Sequence, residues 1–266
     1  SAPAFAGLAL VMEYVAQRVR RHALPHAFVP VEITALHVGP STTSQREIVS
    51  IDISEYGDPL STRVIRVPFS RYRKPWETGI ADGLGEHEAI PAMFTIPLHE
   101  MDWRQALKVR QDTTDILDLA KRSCTRIPEQ EAGTRHLIKD YLSSDLRKFH
   151  ERYAESRKAE QNPPVLPWES LTPCVRRLFE QPNDLLLKPT GMLQVTRTLM
   201  ALGWAPPKIA RVVASVFSDP LHQWGAQWQT YDPEMRAEFY VRLFSGLIST
   251  GADALIDFNC KSTQEK

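Results

Sequence analysis

Four prolines fall within the thirteen residues 161–173, QNPPVLPWESLTP, and no helix runs through such a stretch. Proline lacks the backbone N–H and its ring clashes with the preceding turn, at a cost of about 3 kcal/mol in a helix interior. The stretch therefore divides the 266-residue chain into an earlier and a later part. The later part reads as helical. Apolar spacing predicts helices over 174–181, 190–203, 206–217 and 233–249. The third opens on Ala-Pro-Pro-Lys, where proline is tolerated because first-turn N–H groups have no partner inside the helix. The fourth opens on Asp232-Pro233, an N-cap acid followed by proline at the first helical position.

The earlier part is mixed. Residues 5–21 place Leu8, Met12, Val15 and Val19 at three-to-four spacing, one face of a helix that ends in the basic run RVRRH. Residues 27–39, 46–54, 62–70 and 89–98 read as strands, with GPSTTSQ between the first two as a turn or loop. Residues 71–88 carry Pro75 and three glycines and read as a long loop. Residues 102–124 and 135–160 read as helical, the second strongly charged. The expected fold class is α+β, a small mixed α/β unit followed by an all-α helical domain. The expected divisions are residues 1–102, a helical connector over 103–162, and a helical domain over 163–266.

Bulk properties bound the function. Lys plus Arg is 32 and Asp plus Glu is 32. Zero net charge argues against a protein that coats nucleic acid by bulk charge, but leaves room for a local basic groove. No apolar run approaches the ~20 residues that span a bilayer, so no membrane is expected as a partner. The opening SAPAFAGLALVMEYVAQRVRRH lacks a basic leader and reads as an amphipathic helix rather than a signal peptide. Three cysteines do not make a secreted disulfide framework, and a cytoplasmic protein is expected.

Against this neutral background, RVIRVPFSRYRK (63–74) holds five basic side chains in twelve residues. Asp52, in VSIDIS, stands upstream as a lone acid in a strand-like run. On a strand Arg63 and Arg66, three apart, face opposite ways, whereas Arg66 and Ser70, four apart, share a face. Such a run also suits a solvated hairpin, and such an acid also suits a simple pair with a nearby Arg.

Asp52, then Arg63-Val-Ile-Arg66-Val-Pro68-Phe-Ser70-Arg-Tyr72 and Lys74, resembles the third motif of the archaeo-eukaryotic primases and related primase-polymerases, over residues 46–98. The resemblance implies part of an RRM-like catalytic core and template-directed primer synthesis. Nucleotidyl transfer needs carboxylates for divalent metals and donors for a triphosphate. Asp52 would be the catalytic acid that holds Mg2+ or Mn2+. Arg66, Ser70 and Lys74, with Arg63, would hold the phosphates of a nucleoside triphosphate, Arg as a fork and Lys as a point charge. The family has His where Tyr72 stands. It also carries an Asp-x-Asp pair and a His-x-His element, and this chain has neither. Either the chain is part of a longer enzyme, or the site is degenerate.

Residues 165–262 resemble the iron–sulfur domain of the primase large subunit. The resemblance rests on the Pro-Cys start at Cys174, the turn MALGW, the run of Tyr240, Arg242 and Gly246, and Cys260 in DFNCKS. It implies Cys174 and Cys260 as cluster ligands, with Cys124 in the connector. A cluster takes four thiolates, so the set here is incomplete; a fourth would lie beyond Lys266, or the helical fold persists without a cluster. Trp204, Trp224, Trp228 and Tyr231 could stack on bases, though large aromatics more often serve core or hinge packing. The implied partners are a single-stranded DNA template, nucleoside triphosphates and other replication or repair proteins. The alternative is a noncatalytic single-stranded nucleic-acid-binding or scaffolding module.

Overall fold

The computed structural model describes residues 2–23, 31–33, 49–51, 53, 68–70, 96, 103–109, 112–123, 129–159, 165–182, 189–222, 232–253 and 255. These are mostly helical. In chain order they form α1 (Ala2–Ala23), β1 (Val31–Ile33), β2 (Val49–Ile51), α2 (Trp103–Val109), α3 (Thr113–Arg122), α4 (Glu131–Leu142) and α5 (Asp145–Ala159). Then follow α6 (Pro173–Glu180), α7 (Pro189–Ala201), α8 (Pro206–Phe217) and α9 (Pro233–Ser249). The chain divides into two compact units, residues 1–61 with 132–266, and residues 62–131.

The larger unit is a helical bundle built around α7 and α9. The interior of α7 is buried on every side from Thr190 to Leu199. A helix that is wrapped all round needs an apolar surface all round, and Met192, Leu193, Val195 and Leu199 supply most of it. Ten residues of α9, from Arg236 to Leu247, are likewise buried. α8 lies along α9 and brings Ile209, Val212, Val213 and Phe217 into the same core. That spacing is the apolar stripe of a helix packed on one side. α6 adds Val175, Leu178 and Phe179, and packs on α7.

The helix starts and stops follow from local chemistry. α9 opens as its sequence predicts, with the Asp232 side chain accepting from the Met235 backbone N–H at 2.9 Å and Pro233 following. α7 and α9 both end on a glycine in the left-handed region, Gly203 at φ 81° and Gly251 at φ 67°. Trp204 N–H then bonds Leu199 C=O, and Ala252 N–H bonds Leu247 C=O, closing the last turn back on itself. The predicted helix over 135–160 is in fact two. It breaks at Ser143-Ser144, where the Ser144 hydroxyl accepts from the Arg147 backbone N–H at 3.1 Å and starts α5. The predicted helix over 102–124 also divides, because Asp112 caps a new helix by accepting from Thr114 and Asp115 N–H. Short polar side chains that bond nearby backbone are how a helix is restarted.

β1 and β2 fall inside the predicted strands 27–39 and 46–54. They pair in parallel, Val31 with Val49 and Ile33 with Ile51. Ile33 and Ile53 join the same core as Leu171, Val195 and Phe244. In the smaller unit, Pro68 and Phe69 form a turn, with Phe69 at φ 64°. The strand expected over 62–70 therefore does not continue through them. Ile96, in the expected strand 89–98, has no regular structure. The rest of both stretches lies outside the described residues.

α1 is turned the opposite way to its apolar pattern. Leu8 is 50% exposed and Val19 42%, with Met12 exposed and Val15 half-buried. The buried positions are Glu13, Ala16 and Gln17. Polar bonds decide the orientation. Arg20 donates to Ala252 C=O at 2.5 Å and Arg21 to Thr250 C=O at 2.9 Å. Those carbonyls lie just past the end of α9, where a helix leaves acceptors unsatisfied and its dipole favours cations. Arg18 pairs with Asp140 of α4 at 2.8 Å.

Gln194, in mid-α7, is 1% exposed, and neither amide atom has a partner among the described residues. An unsatisfied buried amide costs about 1–3 kcal/mol. Gln194→Leu is therefore expected to raise the denaturant midpoint with an unchanged m-value, as read by urea unfolding.

Candidate functional site

Of the expected catalytic, phosphate-binding and cluster-ligand residues, Ser70 and Cys174 are described. Ser70 is half-buried, directly after the Pro68-Phe69 turn in the smaller unit. Asp52, Arg63, Arg66, Lys74, Tyr72, Cys124 and Cys260 lie outside the described residues, as do Trp224, Trp228 and Tyr231. Cys174 stands in the first turn of α6, right after Pro173, and packs against the main core. Its thiol is 3.2 Å from the Thr172 hydroxyl. Among the described residues, no three His, Cys, Asp or Glu side chains meet in a group that could hold a metal. Trp204 is half-buried against the core, and the Lys208 ammonium sits 4.1 Å from its ring centroid. One face of that ring is thus engaged by a cation within the protein itself.

The strongest concentration of buried chemistry is one that spacing did not reveal. Glu13 of α1, His150 of α5, Tyr141 of α4 and Arg242 of α9 form one network. Arg242 donates from Nε and Nη2 to Glu13 Oε1 at 3.0 and 2.7 Å. His150 Nε2 lies 3.0 Å from Glu13 Oε2, and a carboxylate can only accept, so that nitrogen carries the proton. In neutral His150 the other nitrogen, Nδ1, is then an acceptor, and it takes the Tyr141 hydroxyl at 2.9 Å. The Glu13 and His150 side chains are 1% and 2% exposed. Burial pushes the Glu13 carboxyl upward. The Arg242 charge and the bonds from His150 and Arg242 outweigh it, and the carboxyl sits below its ordinary range. Burial pushes the Tyr141 hydroxyl up, so it stays protonated.

An acid, a histidine and a hydroxyl in a row have the outline of a nucleophile with its base. The geometry gives a different role. Both ring nitrogens of His150 are already bonded, and Tyr141 is 3% exposed. The network joins α1 to α4, α5 and α9. A signal for it exists in the sequence. His150 shares an apolar stripe with Leu146, Phe149 and Tyr153 on α5, and a histidine on such a face needs buried partners. The partners themselves, 137 positions away at Glu13, follow from no spacing rule.

A second buried pair closes the end of the bundle. Arg197 of α7 grips Asp253 with two bonds, Nε to Oδ2 at 2.8 Å and Nη2 to Oδ1 at 2.7 Å. Asp253 Oδ1 also accepts the Leu255 backbone N–H at 3.0 Å. Burial raises the Asp253 carboxyl, but the bonds from Arg197 and Leu255 win and hold it low.

Beside the first network lies a cavity of about 500 Å³ between α1, α5 and α9. Leu10 and Ala154 give it apolar walls, and His150, Tyr153, Arg157, Lys158, Glu238 and Arg242 give it polar ones. A neighbouring cavity of about 400 Å³, lined from α5, α8 and α9, shares Tyr153, Arg157 and Glu238 with it. The Arg157–Glu238 ion pair, 2.7 Å long, belongs to the walls of both. Among the described residues, no helix is long and apolar enough to cross a membrane. No family model, no curated protein and no solved structure matches the chain.

Proposed function

We propose that the chain is a primase-polymerase-like nucleotidyltransferase component, in which a strand-borne acid and a basic segment serve a helical domain that holds the template. The observation that carries this reading is the order Asp52, Arg63, Arg66, Pro68, Ser70, Lys74. It combines a metal-seeking carboxylate with a spaced set of phosphate donors, which is what nucleotidyl transfer requires. Two structural facts support it. β2 ends at Ile51, immediately before Asp52, and Ile51 and Ile53 on either side of that residue pack into or against the helical core. The strand that leads to the acid and the later helices belong to one compact unit, and residues 62–131 form the other. In this reading Asp52 would bind Mg2+ or Mn2+, and Arg66, Ser70 and Lys74 would bind the triphosphate. Two-metal nucleotidyl transfer takes further carboxylates, and these 266 residues hold no Asp-x-Asp pair to supply them. Cys174 and Cys260 supply two of the four thiolates that an iron–sulfur cluster takes.

A second reading is favoured by one specific observation, the absence of any Asp-x-Asp pair from the chain. It is a noncatalytic module that grips single-stranded nucleic acid. Primer synthesis on a single-stranded DNA template with Mg2+ or Mn2+ separates the two, using the chain extended upstream to include an acidic pair. The catalytic reading predicts products that disappear with Asp52→Ala. Strand binding that weakens steeply with salt, without synthesis in any form of the chain, leaves the binding module.

A further inference from the structure

We propose that the cavity between α1, α5 and α9 binds a small organic anion, with an acidic head at Tyr153 and Lys158 and an apolar body along Leu10 and Ala154. The size fits. Drug-sized ligands occupy clefts of roughly 300–1,000 Å³, with mostly apolar walls and a few fixed polar groups. This cavity has about 500 Å³ and that mixture of walls.

Tyr153 carries the argument for a ligand. The residue is 5% exposed, it lines both cavities, and its hydroxyl makes no hydrogen bond among the described residues. A buried hydroxyl is normally bonded, and one left open toward a cavity is a donor waiting for an acceptor. Its surroundings are charged. Burial first, and then Glu238, push its ionisation upward, while Arg242 and Arg157 act the other way. The hydroxyl therefore stays protonated and able to donate.

The charges select the sign of the guest. Arg157, Lys158 and Arg242 face the cavity, against Glu238 on its wall and Glu13 behind Arg242. Three cations against two carboxylates leave one positive charge over. Arg242 and Arg157 already hold Glu13 and Glu238, so Lys158 is the cation available to a new anion. An inorganic anion would meet those donors yet leave Leu10 and Ala154 wet, which is why an apolar body is part of the proposal. The proposal uses none of residues 63–74 and stands whether or not the chain handles nucleotides.

The test is calorimetric titration of the purified chain with octanoate, octan-1-ol and inorganic phosphate. Octanoate is expected to bind one to one, with octan-1-ol and phosphate each at least about tenfold weaker. Tyr153→Phe removes only the hydroxyl. It should weaken octanoate about tenfold, the scale of a hydrogen bond to a charged group, without lowering the melting temperature. Lys158→Ala should weaken octanoate several-fold, and added salt should do the same. The proposal is overturned if octanoate does not bind, if octan-1-ol binds as tightly, or if Tyr153→Phe and Lys158→Ala leave octanoate affinity unchanged.

Discussion

Replacing Glu13 with alanine is expected to cost about 3–5 kcal/mol, the range for removing one partner from a buried ion pair. A domain is stable by only about 5–15 kcal/mol, so a large share of the folded population is at stake. The loss has a definite origin. Glu13 is the shared acceptor for Arg242 and His150, and its removal strands a guanidinium and an imidazole N–H inside the bundle. It also takes away one of the polar clamps on α1, beside those made by Arg18, Arg20 and Arg21. Urea unfolding monitored by helical circular dichroism reads the change directly.

The same carboxylate sets a pH dependence. The Glu13 carboxyl is more acidic in the folded chain than in the unfolded one. Its contribution is therefore complete above the ordinary glutamate value of about 4.3, and is lost as pH falls below that toward the lowered native value. Glu13→Gln keeps the shape and removes the charge. The stability gap between the wild type and Glu13→Gln should be widest at neutral pH and narrow as the solution is acidified. A gap that is equal at pH 7 and at about pH 2, well below the ordinary glutamate value, would show that the carboxylate is not the ionised centre of the network.

Asp253→Ala is the second large effect, again about 3–5 kcal/mol. It leaves the Arg197 guanidinium, 3% exposed, without the carboxylate that holds it at two points. It also removes the acceptor for Leu255 N–H just past the α9 cap. Replacing both partners by apolar residues tests whether the pair itself or its desolvation matters. Arg197→Met together with Asp253→Leu should recover most of the loss in melting temperature, since a well-packed apolar pair does not pay for buried charge. A double variant that melts as low as Asp253→Ala would show that Arg197 and Asp253 act independently.

Much of the helical part was legible because its punctuation is local. The spans 206–217 and 233–249 agree with α8 and α9 to the residue, since Pro206 and the Asp232-Pro233 cap mark their starts. Predicted helices that run through Ser143-Ser144 and Asp112 failed at residues whose side chains bond nearby backbone, a signal weaker than proline. The α1 face was misjudged for another reason. Apolar spacing at Leu8, Met12, Val15 and Val19 counts hydrophobic burial alone, whereas Glu13, Gln17, Arg20 and Arg21 turn α1 inward through bonds to residues at 150 and beyond. Such partners are invisible to a local pattern. Asp52, Arg66 and Lys74 lie outside the described residues, and Ser70 is the one residue of the expected phosphate-binding set that the structure describes.

The central claim, that Asp52 and the 63–74 segment handle a metal-bound triphosphate, is tested most directly by titrating the chain with a nucleoside triphosphate in Mg2+ or Mn2+. The account predicts binding that Arg66→Ala or Lys74→Ala weakens about tenfold or more, the scale of a lost hydrogen bond to a charged group. It also predicts that Asp52→Ala removes the part of the affinity that depends on the metal. Binding that is absent, or equal in the wild type and all three variants, would contradict it.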